Sequence, residues 1–353
     1  STIDGDLTVR SGNASGITDS GTVTVGGNLA ATTDANNGVI DMGTLAVDGT
    51  VALATNGSGD ATVVNDAGLS FAASTVGGAL SATATTGNMT TATGVMTITG
   101  TTTLVTSADD AAINLYGNYT GALTITTNGR RVTRSVVIVS PSALVIAESN
   151  ISGEATFNSR TSISDSGTVT VGGKLSALTT ANNGDINLDT LAVDGTIGVQ
   201  THGTGAATVV NDAGLTFLGA TVGGALSATA TTGNIADDNS TGGALAITGT
   251  TTLVTSANDA TINLDTSTNA FTGTVTITTN DDSGNNADAT IDGGTTALIL
   301  AASTIDGDLT LTSGHASGIT DSGTLTIGGN LAATTDANNG VIDMGTLAVD
   351  GTV

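Results

Sequence analysis

The side chains able to do chemistry are few, and most are acidic. Among 353 residues there are 31 Asp or Glu, 6 Lys or Arg, 2 His and no Cys, for a net charge of −25. Calcium takes several oxygens from Asp, Asn and backbone carbonyls. The densest supply is DDSGNNADATID, where Asp281, Asp282, Asp288 and Asp292 are the candidate ligands. Asp4 with Asp6, and Asp109 with Asp110, are smaller groupings. Neither a GGxGxDxUx β-roll repeat nor an EF-hand loop is present, and Asp and Asn are also ordinary turn formers. The expectation is no cofactor, with structural Ca2+ at those four Asp as the alternative.

Catalysis finds little to work with. His202 in QTHGTG stands where the first copy of a long repeat has Asn56, and His315 in SGHASG stands where it has Asn13. Asn and His both tolerate left-handed turns, so both His read as turn residues. GxSxG, CxxC and HExxH are missing, and the Gly pairs recur inside strand-turn units, unlike a phosphate loop ahead of a helix. Polysaccharide lyases and hydrolases built on β-helices need carboxylates with basic or aromatic partners. Only 2% of this chain is aromatic. The chain is therefore read as no enzyme. So acidic a protein has no electrostatic footprint for nucleic acid, and no apolar run reaches a membrane span.

One basic segment stands apart. NGRRVTRS, with Arg130, Arg131 and Arg134, occupies the place in the first long repeat that NDDSGNNADAT occupies in the second. Both read as solvated loops; the alternative pairs these three Arg with Asp281, Asp282 and Asp288 of a neighbouring chain, a lateral contact for self-association.

The elements that must carry these residues follow from composition and repetition. Thr is about one residue in five, Gly supplies 50 residues and Pro one, while Glu and Lys are nearly absent. That favours strands and turns over helices. STIDGDLT returns at Ser303, and LAVDGT starts at Leu45, Leu191 and Leu347. The chain thus divides into long repeats of about 150 residues at 1–148 and 149–302, with a partial third at 303–353. Inside them the pattern aliphatic-x-Gly-x-aliphatic recurs at Ile3, Val25, Val47, Val76 and Ile98, with steps of 22, 22, 29 and 22 residues. Aliphatics alternate with Thr or Ala around each anchor, as a strand with one buried face requires.

Such a step suits one coil of three short strands, so the fold class is all-β: a parallel β-helix, or β-solenoid, with coils of about 22 residues. Tandem β-sandwiches are the alternative, but they have no reason to repeat this anchor internally. Phe71 and Phe217, equivalent in two copies, should point inward. Neither end reads as a capping coil, so the chain is expected to be one continuous solenoid cut from a longer protein. Thr-x-Thr pairs such as Thr22/Thr24 do not persist coil by coil at the anchors, which argues against an ice-binding face.

Stretches such as GNLAATTDANNGVIDMGTLAVDGTV resemble the β-helical shafts of filamentous-haemagglutinin-type and autotransporter adhesins. The likeness covers the whole chain and rests on repeat style. It implies a right-handed parallel β-helix, export, and an extracellular or cell-surface location. The function expected on this basis is a structural shaft or filament that self-associates into fibres or holds an adhesin away from the cell. The alternatives are a polysaccharide- or cell-binding adhesin module and an S-layer-like lattice protein. Exposed aromatic or amide ladders would favour binding; none is evident in the sequence.

Overall fold

The computed structural model describes residues 1–129, 135–238, 243–282 and 286–353. They form two compact units, Ser1–Gly173 and Lys174–Val353. Each is a β-solenoid, in which short strands follow one another round a coil and pair in parallel with the coils on either side. About 15 turns are stacked in the two units, about 22 residues apart. No helix occurs among the described residues.

The alternation seen in the sequence sets the inside. Ala61–Asn65, Leu80–Ala84, Thr102–Asp109 and Leu123–Asn128 pair side by side. Val63, Ala82, Leu104 and Ile125 then form one column, each 0% exposed. Their neighbours Thr62, Ser81, Thr103 and Thr124 face outward. Coil spacing of about 4.8 Å brings such stacked aliphatics into van der Waals contact. Phe71 and Phe217 are buried as expected, and so are Phe157, Phe271 and Tyr119. Burial pushes the Tyr119 phenol far above its ordinary value.

The anchors pair as the short period requires. Ile3 stacks on Val25 and Val25 on Val47; Ile305, Ile327 and Val349 repeat the arrangement. The 29-residue step marks a change that the spacing alone does not display. Val47 belongs to one sheet, whereas Val76 and Ile98 belong to the other, so the anchor changes face of the solenoid.

Asn65 closes the column that ends at Val47. Its Oδ1 accepts from the Val47 N–H at 2.8 Å, while its Nδ2 donates to the Val47 carbonyl at 3.1 Å and the Gly68 carbonyl at 2.6 Å. A side-chain amide thus stands in for the missing strand. Asn211 does the same to Val193 and Gly214. Both are fully buried. Buried serines fill smaller gaps: Ser74, Ser149 and Ser303 accept from Leu53, Ile125 and Ile277 N–H groups of the neighbouring coil and donate to the carbonyl two residues before themselves. A few hydroxyls inside find nothing. Thr102, Thr106 and Thr251 have buried Oγ1 atoms without a hydrogen-bond partner.

Candidate functional site

Most of the acids sit at coil corners, and the structure shows what they do there. Asp6 Oδ1 accepts from Asn28 N–H at 2.7 Å, and Asn28 Oδ1 accepts from Thr50 N–H at 2.9 Å. Asp308, Asn330 and Thr352 form the same chain of contacts. Asp60, Asp185 and Asp19 likewise accept from backbone N–H groups one coil on. Each side chain reaches along the stacking direction and ties a turn to its successor, so turn-forming Asp and Asn double as staples between coils. Asn37 and Asn183 hold left-handed turns and accept from the N–H and hydroxyl of Ser58 and Thr204.

The four calcium candidates part company. Asp288 Oδ1 accepts from Asp308 N–H at 2.7 Å, another staple. Asp292 Oδ1 accepts from Gly294 N–H within its own turn. Burial pushes the Asp292 carboxyl up from its ordinary value, and the charges of Asp336, Asp265 and Asp237 add to this. Asp281 and Asp282 instead meet Asp259, a residue from the preceding coil that the sequence reading did not single out. Carboxylate oxygens of these three lie within 4.8 Å of one another. A hydrogen bond that protonated Asp259 donates to the Asp281 carboxylate raises Asp259, with desolvation and the charges of Asp281 and Asp282 adding. Hard oxygen ligands of this kind suit a divalent cation. Asp259 precedes Asp281 by one coil, with Asn258 opposite Asn280, and that spacing is the signal that would have found it.

The His residues behave as turn formers. His202 accepts through its carbonyl from Asn183 N–H and Gly205 N–H, and His315 Nδ1 accepts from Ser317 N–H at 3.0 Å. Arg130, Arg131 and Arg134 lie outside the described residues. Arg10 Nε donates to Asp34 Oδ2 in an exposed pair, of little energetic weight. An open hollow lined by Thr124, Thr126, Glu148, Asn150, Thr168 and Thr170 offers hydroxyls, an amide and one carboxylate. The second long repeat has Ala302 where Glu148 stands.

A second feature was not legible in the sequence. Tyr116 is 42% exposed, on the outward side of the strand Ile113–Tyr119. Its N–H donates to Thr91 Oγ1 at 3.1 Å, fixing the backbone where this strand spans a break between Met89–Thr91 and Met96–Ile98 below it. Val139 lies directly opposite Tyr116 on the next coil, and Asn158 opposite Val139 on the one after. Val95, 39% exposed, precedes Met96, the partner of Gly117. A parallel row runs Thr90, Asn114, Val137, Thr156.

No curated protein and no solved structure matches the chain. Three segments, 58–126, 133–201 and 204–278, match DUF5649, described as repeats of unknown function. The first and third begin at Ser58 and Thr204, equivalent places in the two long repeats, so two family units of about 70 residues make one long repeat. These segments cover more than half of the sequence, and the chain belongs to the DUF5649 repeat family.

Proposed function

We propose that this chain is a structural segment of a bacterial cell-surface or extracellular protein, a β-helical shaft of the filamentous-haemagglutinin or autotransporter kind that spaces or bundles rather than transforms a substrate. The observation that carries this reading is the reuse of one stapling scheme: Asp6–Asn28–Thr50 in the first long repeat and Asp308–Asn330–Thr352 in the third. Side chains that an enzyme would turn toward a substrate are spent on fastening one coil to the next. Stacked coils extend by repetition without needing a unique centre. Self-association into fibres belongs to the same role, and a −25 chain packs laterally only when salt or opposite charge screens it. Export to the surface rests on the resemblance of the repeats to adhesin shafts.

Negative-stain electron microscopy of the purified chain, together with immunogold labelling of intact producing cells, tests both halves. Narrow elongated particles and surface label are expected. Globular particles, or label reached only after permeabilisation, would overturn the reading.

A further inference from the structure

The outward rows around Tyr116 are uncharged, as is the row Thr62, Ser81, Thr103 and Thr124, and are set apart by an exposed ring. Thr90, Asn114, Val137 and Thr156 in one row, and Tyr116, Val139 and Asn158 in the other, include no charged residue. Tyr116 is the exposed aromatic ring among the described residues; Tyr119 and the four Phe are buried. It also sits where repetition fails. NLYGNYTG, from Asn114, stands where the second long repeat has NLDTSTNAFTG, from Asn263. The stem NL is kept and the ring is replaced by Asp265.

An aromatic face flanked by amides and hydroxyls is chemistry suited to a sugar. A pyranose has an apolar face that stacks on a ring and equatorial hydroxyls that need donors and acceptors, both of which Asn supplies. A pyranose is about as long as the coil spacing of ~4.8 Å. A polymer lying along the stacking direction would therefore meet a new coil with each residue: Tyr116, then Val139, then Asn158. We propose that these rows bind a neutral polysaccharide, with Tyr116 as the stacking platform and Asn114 and Asn158 as the hydrogen-bonding flanks.

Charge selects the neutral class. A polyanion would be repelled by the −25 chain, and the rows themselves hold no cation; Arg160 follows Asn158 by two residues, with Glu154 four residues before Asn158. Size argues against a second copy as the occupant. The apolar part is Val95, Tyr116, Val137 and Val139 alone, far short of the roughly 800 Å² per partner of a stable protein interface. The inference is independent of the shaft reading, since a shaft can carry a binding row or lack one.

Affinity electrophoresis tests it, in native gels containing glucomannan, galactomannan or hydroxyethylcellulose, with alginate as the anionic comparison. The wild-type chain should be retarded by at least one neutral polymer and not by alginate. Tyr116→Ala should weaken retardation roughly tenfold, the scale of one lost aromatic contact, and Tyr116→Phe should keep it. Asn114→Ala and Asn158→Ala should fall between. Circular dichroism of Tyr116→Ala should match the wild type, because the ring is outside the core. Three results would overturn the proposal: no retardation by any neutral polymer, equal retardation by alginate, or retention in Tyr116→Ala equal to wild type. Loss of dimerisation in Tyr116→Ala by analytical ultracentrifugation, with glycan retention unchanged, would also overturn it and assign the patch to a second copy.

Discussion

Replacing Asn65 with Ala removes three hydrogen bonds from a buried place and leaves their partners behind. The Val47 N–H and carbonyl lose their only substitute for a strand, and the Gly68 carbonyl loses its 2.6 Å bond. A buried polar group left unpaired costs about 1–3 kcal/mol. Gly68 is part-buried and recovers some of its loss from water. The total is about 3–5 kcal/mol. Asn65→Asp should be worse at neutral pH, because an ionised oxygen would face two carbonyls where Nδ2 donated, and it should partly recover on acidification. Urea unfolding followed by circular dichroism gives the size. Hydrogen exchange read by mass spectrometry gives the place, with protection lost first around Val47 and Gly68. Asn211→Ala should lose protection around Val193 and Gly214 in the same way. An Asn65→Ala chain within about 0.5 kcal/mol of wild type, the range of an ordinary surface substitution, would refute the idea that this amide replaces a strand.

Phe71→Ala empties a fully buried ring position and should cost about 3–5 kcal/mol in the same urea assay. Thr102→Val should raise stability by about 1 kcal/mol, because the buried Oγ1 it removes has no partner; a loss would mean the hydroxyl is satisfied. Asp321 is held below the ordinary carboxylate range by the Gly345 N–H, with the Thr346 N–H adding to it. Its folded value lies below its unfolded one, so its contribution is present above the unfolded value and lost as pH falls through the folded one; a carboxyl NMR titration should show the low midpoint, and a midpoint at or above the ordinary range would contradict it. Asp259 shifts the other way, raised by the Asp281 carboxyl, and Asp281→Asn should bring its midpoint down in the same titration, an unmoved midpoint counting against the contact.

Strand identity and inside–outside alternation were legible because one coil repeats a short pattern: Ile3, Val25 and Val47 align by counting alone. The change of face between Val47 and Val76 was not, because it depends on a side chain, Asn65, imitating a backbone. Asp281, Asp282, Asp288 and Asp292 read as one ligand set, although Asp288 is tied to the Asp308 N–H and Asp292 to the Gly294 N–H of its own turn. Asp259 joins Asp281 and Asp282 across a coil boundary that local spacing does not display. Tyr116 was hidden for a related reason: a single aromatic has no ladder in sequence, and its neighbours Val139 and Asn158 come from later coils.

The staples and ladders share one property with a kinetic meaning. Asn28 reaches Thr50 across 22 residues, Asn65 reaches Val47 across 18, and Ser149 reaches Ile125 across 24. Within each unit a coil needs only the one before it as a template, and among the described residues the hydrogen bonds join a coil to its neighbours. Folding can then advance in the order in which residues emerge, each finished edge seeding the next turn at the small loop-closure cost of a short span. Such a chain can begin to fold while its remaining length is still extended.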